Sequence, residues 1–277
     1  MKIRIRFRKY GVMKFIGHLD VMRYFQKAMR RAHIDICYSE GFSPHQIMSF
    51  AAPLGVGITS DGEYMDIEVH TSASTEESLR ALNGVMVEGV ECTGYVKLPD
   101  QAKTAMSIVA AADYDLYFKE GYAAPVSVSA FADGIRDFFE KPDEVLITKQ
   151  TKKSERVLDI KPLIYGFQVT DRGGVPSFYL KLSTGSTDNL KPELVLEALF
   201  LHMGLTYDPN AIQIHRKDVY ASDGAERYIG NDMPAEVGAA AFRYGTGPEG
   251  GQYLLLTGAA PVTGDTLYLC TAHDISA

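Results

Sequence analysis

Residues Lys2-Ile3-Arg4-Ile5-Arg6-Phe7-Arg8-Lys9 decide the fold of the first part of this chain. Apolar and cationic side chains alternate along the stretch, and a period of two is typical of a strand with one buried face and one exposed face. The isoleucines and the phenylalanine are predicted to pack on a core. The opposite face of the strand is then entirely cationic and carries Arg4, Arg6 and Arg8.

An amphipathic helix is predicted for residues 18–33, directly after this strand. Apolar residues recur at helical spacing on one side, and the other side is basic. Gly17 is the predicted N-cap, and Asp20 in the first turn suits the positive end of the helix dipole. The cations of this helix are Arg23, Lys27, Arg30 and Arg31.

The elements of residues 2–98 follow the order β-α-β-β-α-β, which is the ferredoxin-like arrangement of four antiparallel strands with both helices on one face. Its second strand is predicted at 46–54. A weaker second round, with one strand at 144–149, covers about 108–220. We therefore expect an α+β protein of two ferredoxin-like domains in tandem, followed by a Gly/Ala-rich extension. The predicted boundaries are 1–103, 104–220 and 221–277, with strands in the extension at 253–257 and 266–270.

Charge is distributed unevenly along the chain. Residues 1–31 contain ten Lys and Arg and a single acid, whereas the 277-residue chain has a net charge of −7. A basic face on an acidic protein favours a polyanionic partner, with RNA as the leading candidate. The alternative is a solvated basic surface without a dedicated ligand.

Composition excludes several classes of protein. A hydrophobic fraction of 46% with 23% charged residues is typical of a soluble globular protein. The sequence has no apolar run long enough to span a bilayer and no signal-peptide pattern at its first residues, so we expect a cytoplasmic protein without membrane contact. The three cysteines, Cys37, Cys92 and Cys270, lack the spacing of a zinc or iron–sulfur site, and we expect neither metal nor cofactor.

Three further patterns are weak signals for ligand binding. Gly55 and Gly57 are too close together to form a nucleotide-binding loop. Glu63 and Asp66 would alternate between the faces of a strand, so we expect solvation or pairing with the basic helix rather than a metal site. Arg156, Asp159 and Lys161 are predicted to form either a polar site or an inter-domain salt bridge.

Several motifs resemble the radical SAM-linked protein family of unknown function. They are Gly17-His18-Leu19-Asp20, Gly41-Phe42-Ser43-Pro44-His45 and Pro53-Leu54-Gly55-Val56-Gly57, and the resemblance fades near residue 220. Members of that family occur fused to, or encoded beside, a cobalamin-type radical SAM protein. The resemblance therefore implies a radical SAM protein as partner and an accessory role for this chain.

The chain departs from that family at two positions. Gly17 stands where the family usually has Ser, so a cap is retained but a hydroxyl is lost, which argues against hydroxyl-dependent catalysis there. Lys161 stands where the family has Arg, which keeps the charge without the bidentate geometry. The sequence also lacks the Cys-x3-Cys-x2-Cys run that a radical SAM cluster needs, so we expect no radical chemistry in this chain.

Residues of the helix start and of the following turn are predicted to shape a binding pocket. His18 and Asp20 are two positions apart on a helix and are not expected to form a direct pair. A Gly and a Pro fix the shape of the turn at 41–45, which is either a binding loop or a rigid connector. The predicted pocket residues are His18, Asp20, Ser39, Phe42 and His45.

Three functions follow as hypotheses. The first is an accessory RNA-binding or substrate-presenting protein without catalysis of its own, which uses the six arginines and one lysine named above in the first strand and helix. The second is a structural docking partner of the radical SAM protein. The third is a metal-independent endoribonuclease with His18 or His45 as the catalytic residue.

Overall fold

The computed structural model describes residues 1–150, 155–185, 189–222, 244–246 and 252–255. The first six strands are β1 (Lys2–Lys9), β2 (Met48–Phe50), β3 (Thr59–Glu68), β4 (Val90–Lys97), β5 (Val109–Phe118) and β6 (Leu146–Gln150). The other six are β7 (Glu155–Asp159), β8 (Ile164–Arg172), β9 (Val175–Ser183), β10 (Ile212–Ser222), β11 (Tyr244–Thr246) and β12 (Gln252–Leu255). The α-helices are α1 (His18–Arg31), α2 (Thr75–Asn83), α3 (Ala105–Ile108), α4 (Val128–Glu140) and α5 (Pro192–His202), and 3-10 turns lie at Gly11–Phe15 and Lys161–Leu163.

Ten of the described strands form one sheet. Its main path runs β4-β1-β3-β10-β5-β9-β8, with β2 paired to β3 and with β12 and β11 added beside β10. Neighbours are antiparallel except for the parallel contact between β3 and β10. The fold is therefore mixed α+β with a mostly antiparallel sheet. The division into two ferredoxin-like domains stays a prediction, because strands from both halves share this sheet.

Two hydrophobic clusters hold the helices on the sheet. In the first, Ile3 and Ile5 are fully buried, and Phe7 packs on Phe25 of α1 with ring centroids 4.7 Å apart. In the second, Phe131 of α4 packs on Phe178 of β9 at 4.9 Å. The alternation along the first strand thus correctly predicts which of its faces packs on the hydrophobic cluster, although Arg4 on the opposite face is buried too.

Capping residues lie at the starts of three helices, and the one predicted from the sequence, Gly17, is among them. Gly17 is the N-cap of α1, and Asp20 lies in its first turn. Ser74 caps α2 and forms a reciprocal capping box with Glu77, which satisfies two backbone N–H groups at the helix end. Ser127 caps α4 by accepting a hydrogen bond from the amide of Ala130.

Two predicted strands differ from the structure, and the two predicted in the extension are compared only where it is described. The strand expected at 46–54 is reduced to β2, because the chain then leaves the sheet towards the loop at 53–57. The strand expected at 144–149 corresponds to β6, which pairs only with β7 in a hairpin of its own. In the extension, β12 overlaps the strand predicted at 253–257, and the strand predicted at 266–270 lies outside the described residues.

The two halves of the sheet meet where β3 and β10 run side by side. Their register pairs Thr59 with His215 and Ser60 with Arg216. Gly62 lies just beyond: a Cβ atom there would collide with the side chain of Asp218 and lie 2.9 Å from the carbonyl oxygen of Lys217. The absence of a side chain at Gly62 therefore permits this close approach of the strands.

Candidate functional site

Arg4 lies opposite Asp66 in the register of β1 and β3. Its guanidinium donates to both carboxylate oxygens of Asp66, over 2.5 and 2.7 Å, and also to the carbonyl oxygen of Lys103. The residue is only 3% exposed. This corrects the expectation of an open cationic face at this position, because the guanidinium is buried in a bidentate pair with a carboxylate.

Arg6 and Arg8 are also paired on this face. Arg6 lies 3.2 Å from Asp218 and donates to the hydroxyl of Tyr64. Arg8 lies 2.8 Å from Asp61 and 3.3 Å from a carboxylate oxygen of Glu91. The face predicted to be basic is thus largely neutralised by carboxylates of β3, β4 and β10, which a local pattern in β1 does not reveal.

The cations of α1 remain on the surface. Arg23 forms an exposed i,i+3 pair with Asp20, and such pairs contribute little to stability. The guanidinium of Arg31 also donates to the carbonyl oxygen of Val85. Spacings of three and four residues place the group on one side of the helix. The four exposed cations are Arg23, Lys27, Arg30 and Arg31.

The loop at 38–46 carries exposed aromatic side chains beside this helix. Phe42 is fully exposed, and Tyr38 is half exposed. Gln46 is buried and donates to the carbonyl oxygen of Gln26 in the middle of α1 and to the hydroxyl of Tyr38. The first bond holds the loop against the basic helix, and the second connects the two ends of the loop. Gly41 has a φ of 108°, which favours glycine in this turn.

The structure divides the predicted pocket residues between separate places. Ser39 Oγ lies 2.8 Å from His45 Nδ1, within the loop. His18 instead packs edge-on against Phe50, with centroids 5.2 Å apart, and burial lowers its pKa. Asp20 pairs with a cation of its own helix. His18 and His45 thus have different partners and do not form a joint acid–base pair.

His18 borders a buried group of charges that the sequence did not predict. Lys9 is 1% exposed, and its ammonium donates to the carbonyl oxygen of Ile16. Desolvation lowers the pKa of Lys9, and the nearby carboxylate of Glu63 partly offsets that effect. Lys9, His18 and Glu63 line a cavity of about 10 Å³, which is too small for a ligand. Glu63 is buried against Arg216, which corrects the expectation of a solvated carboxylate.

A larger cavity of about 470 Å³ lies at the junction of the two halves. Residues of the loop at 51–55 form one wall, together with Ile58 and Met106. Thr184, Gly185 and the start of α5 form another, and Arg216 also lines the cavity. Its volume is within the range of small-molecule pockets. None of the motifs singled out in the sequence predicted that these segments meet.

The opposite face of the sheet carries a buried pair of aspartates. Asp113 Oδ1 accepts from the amide of Asp218, and Oδ2 accepts from the hydroxyls of Tyr220 and Tyr179 over 3.0 and 3.3 Å. Burial and, second, the negative charge of Asp218 raise the pKa of Asp113 to about 6. This carboxyl therefore changes protonation near neutral pH.

The remaining polar candidates have structural partners. Asp159 accepts from the amides of Val145 and Lys161, and the Lys161 ammonium donates to the carbonyl oxygen of Pro142, so this group anchors the chain around the 3-10 turn. His215 lies 3.1 Å from Asp61. Over the described ranges, no three His, Cys, Asp or Glu residues are grouped so that they could hold a metal ion.

Residues 2–192 match a family described as an uncharacterized protein conserved in bacteria, DUF2344. The chain belongs to this family. The DUF2344 match includes β1, α1 and the loop at 38–46, and it ends before β10, which contributes Arg216 and Asp218. No curated protein matches the chain.

Two solved structures are similar to this DUF2344 protein at a low level. One is a crystal structure of a Cbf5-Nop10-Gar1 complex, at 11% identity and a TM-score of 0.41, over 78% of this chain and 48% of the other. The second is a heavy metal efflux pump, at 8% identity and a TM-score of 0.20, over 80% of this chain and 28% of the other. The chain thus spans half or less of either, and similarity at this level supports no functional conclusion. Among the described helices of the DUF2344 protein, none is long and apolar enough to cross a membrane.

Proposed function

We propose that this protein binds single-stranded RNA through α1 and the loop at 38–46, and that it presents this RNA to a radical SAM enzyme without catalysing a reaction itself. The observation that carries the proposal is the position of fully exposed Phe42 on a loop that is bonded to the basic helix. Cations alone are common on protein surfaces. Proteins that bind single-stranded nucleic acids combine basic side chains with exposed aromatic rings on which bases stack. The exposed ring of Phe42 and the cations of α1 provide this combination.

Each part of this surface has a chemical role in the proposal. The four exposed cations of α1 contact phosphates and supply most of the binding free energy. The ring of Phe42 stacks on a base, which is sequence-tolerant because every base has a π-face. Tyr38 and His45 lie on the same loop and extend the stacking surface. Arg4, Arg6 and Arg8 are assigned to the stability of the sheet instead, because carboxylates already neutralise them.

The radical SAM partner is proposed from the sequence resemblance. The finer fold assignment is also a proposal: each half is a variant of the ferredoxin-like unit. Supporting it, the first half has the strand order β4-β1-β3-β2, and the second half has β10-β5-β9-β8, with two helices in each and the β6–β7 hairpin as an insertion. Both orders correspond to the fourth, first, third and second strands of a βαββαβ unit.

A salt titration with a labelled, mixed-sequence single-stranded RNA tests the RNA proposal. We expect the logarithm of the binding constant to fall steeply with the logarithm of salt concentration, as phosphate contacts release counterions. Arg23→Glu/Arg30→Glu should weaken binding at low salt about tenfold or more and make the slope shallower. Arg80→Glu/Arg136→Glu, which makes the same charge change on α2 and α4, is the matched control.

Two outcomes would contradict the RNA proposal. One is the absence of binding at low salt, which would favour the docking alternative, with the basic helix as a contact for an acidic protein surface. The other is an equal loss in the α1 variant and in the control, since binding would then depend on net charge and not on this surface. Cleavage of the RNA in EDTA that disappears in His18→Ala or His45→Ala would favour the endoribonuclease alternative.

A further inference from the structure

We propose that the second half of the sheet binds single-stranded RNA on the face that points away from α4 and α5, where one base stacks on Tyr117 of β5 and another on Tyr179 of β9. The inference rests on the proposed RNA-binding function for the class of ligand. It extends that function to a second site, separate from α1 and the loop at 38–46. We call this site the tyrosine surface, and its members are Tyr117, Tyr179, Gln168, Arg172 and Lys217.

The two tyrosines lie on the same face of neighbouring strands. In the register of β5 and β9, Tyr117 is opposite Ser177 and Tyr179 is opposite Asp115. The tyrosines are therefore diagonal neighbours, roughly 7–8 Å apart, a separation that aromatic side chains can bridge. Phe178 points to the other face, where α4 packs on it. Both tyrosines are partly exposed, so their rings form one continuous aromatic surface that a ligand can reach.

Each of these tyrosines has a cation over its ring. The guanidinium carbon of Arg172 lies 4.5 Å from the ring centroid of Tyr117, and Nζ of Lys217 lies 5.6 Å from that of Tyr179. Arg172 is exposed, and the side chain of Lys217 is 36% exposed. The ring faces that these side chains cover are therefore accessible from solvent. When RNA binds, a base takes the place of the cation over the ring, and the cation turns to the adjacent phosphate.

The position of the tyrosines within the sheet suits single-stranded RNA. In the order β10-β5-β9-β8, the tyrosines lie on the two inner strands, β5 and β9. Small domains with a four-stranded antiparallel sheet bind RNA by stacking two or three bases on aromatic side chains of that sheet. Gln168 of β8 is exposed and lies opposite Tyr179 in the register, where its amide can form hydrogen bonds with the edge of a stacked base.

The corresponding face of the first half has a different composition. Its inner strands, β1 and β3, carry arginine–carboxylate pairs, which include Arg4 with Asp66 and Arg8 with Asp61. Tyr64 of β3 is only 1% exposed, so its ring does not offer a face to a base. The second half is therefore the part of the sheet that suits base stacking.

The charge on the tyrosine surface distinguishes it from α1. Lys217 lies 3.5 Å from the carboxylate of Asp115, so its charge is partly balanced. Stacking then contributes more of the binding free energy here than phosphate contacts do. Because salt weakens phosphate contacts most, binding at the tyrosine surface should depend less on salt than binding at α1.

Titration with a labelled, mixed-sequence single-stranded RNA of about eight nucleotides tests the inference, since such a strand is long enough to cover one site. Arg23→Glu/Arg30→Glu in the full chain isolates the tyrosine surface, because it removes phosphate contacts of α1. We expect the remaining binding to depend weakly on salt. Adding Tyr117→Leu/Tyr179→Leu should reduce it about tenfold or more, because leucine keeps the apolar volume but has no π-face.

Two control variants separate stacking from other effects. Tyr117→Phe/Tyr179→Phe keeps both rings and should bind RNA as well as its parent does, although it loses the hydrogen bond from Tyr179 to Asp113. Tyr10→Leu should have no effect, since it removes a partly exposed tyrosine that lies elsewhere, with Arg8 5.4 Å from its ring centroid. Circular dichroism checks that each variant is folded. Tyr117→Leu alone leaves the Tyr179 bond in place and should still weaken binding.

The failures of the two proposals are distinguishable. Equal affinity of the leucine and phenylalanine variants overturns the inference and leaves the proposed α1 surface standing. An equal loss in Tyr10→Leu and in the leucine variant has the same meaning. Loss of binding in the leucine variant, with no change in Arg23→Glu/Arg30→Glu, overturns the α1 surface and supports the tyrosine surface. A wild-type protein that binds no RNA at low salt overturns both, and the tyrosine surface would then be a contact for another protein.

Discussion

Arg216 of β10 donates two hydrogen bonds to Glu63 of β3, and both side chains are 4% exposed. A third bond links Arg216 to the carbonyl oxygen of Ala52. The pair connects strands from the two halves of the chain at the place where the sheet is parallel. Because both groups are buried, water cannot solvate one of them when its partner is removed. Loss of either partner therefore leaves an uncompensated buried charge.

Removing one partner of this pair should destabilise the protein strongly. We expect Glu63→Leu to lower the free energy of unfolding by about 3–5 kcal/mol, because it leaves the buried guanidinium without a counter-charge. Urea denaturation followed by circular dichroism measures the change. The double variant Glu63→Leu/Arg216→Met should be more stable than Glu63→Leu alone. If the loss of unfolding free energy in the double variant equals the sum of the losses in the two single variants, the pair does not act as a unit.

Stability should depend on the protonation of Asp113. Its pKa is raised in the folded protein from 3.8 to about 6, so the folded state holds a proton that the unfolded state has already released. The stability contribution of this group is fully present below about pH 4 and is lost as pH rises through about 6. The loss is of the order of 3 kcal/mol at most, at 1.36 kcal/mol per pKa unit.

Asp113→Asn should remove this part of the pH dependence, because the amide does not titrate. Denaturation at several pH values between 4 and 7 compares its slope with that of the wild type. Asp115→Asn, on the same strand and half exposed, is the control and should retain the wild-type slope. An unchanged slope in Asp113→Asn would mean that the carboxyl titrates in its ordinary range.

Gly62→Ala should weaken the junction of the two halves. The new methyl group would meet the side chain of Asp218 and the backbone of Lys217, and overpacking of this kind destabilises by about 1–3 kcal/mol. Thermal unfolding provides the measurement. Gly166→Ala is the matched control in β8, since its nearest neighbours lie at an ordinary 3.5 Å. Equal stability of the two variants would contradict the close approach of β3 and β10.

Phe42→Ala should weaken RNA binding without changing stability. Loss of one stacked base corresponds to about 1–3 kcal/mol, whereas the salt dependence should stay the same because no phosphate contact is removed. Fluorescence anisotropy at several salt concentrations separates the two quantities. Val12→Ala removes another exposed apolar side chain and serves as the control. A shallower slope in Phe42→Ala would indicate a change in the cationic surface instead.

Local sequence patterns predicted most of the elements but little of their charge pairing. Alternation in β1 identified its buried face, and the helical period with Gly17 as cap identified α1. The partners of Arg4 and Arg6 could not be predicted, because they depend on the register of strands far away in sequence. Asp66 is 62 residues from Arg4, and Asp218 is 212 residues from Arg6.

The junction cavity was beyond sequence reasoning for the same reason. The loop at 51–55, Thr184, Glu193 and Arg216 carry no common motif, and they meet because strands from the two halves share one sheet. One buried charge could have been predicted from the sequence. Lys9 follows Arg8 directly and breaks the alternation, so its side chain falls on the apolar face of the strand. That irregularity indicates a buried ammonium, which the structure contains.

The pairing of β3 with β10 also has a kinetic consequence. Residues 59 and 60 pair with residues 215 and 216, so the first half of the sheet keeps an open edge during synthesis until about 150 further residues have left the ribosome. Contacts of such long sequence separation form late and slowly. The carboxylate of Glu63 also has no counter-charge until β10 is synthesised, because its partner Arg216 lies on that strand. We therefore expect the nascent chain to be most prone to association through its unpaired strand edge before β10 is synthesised.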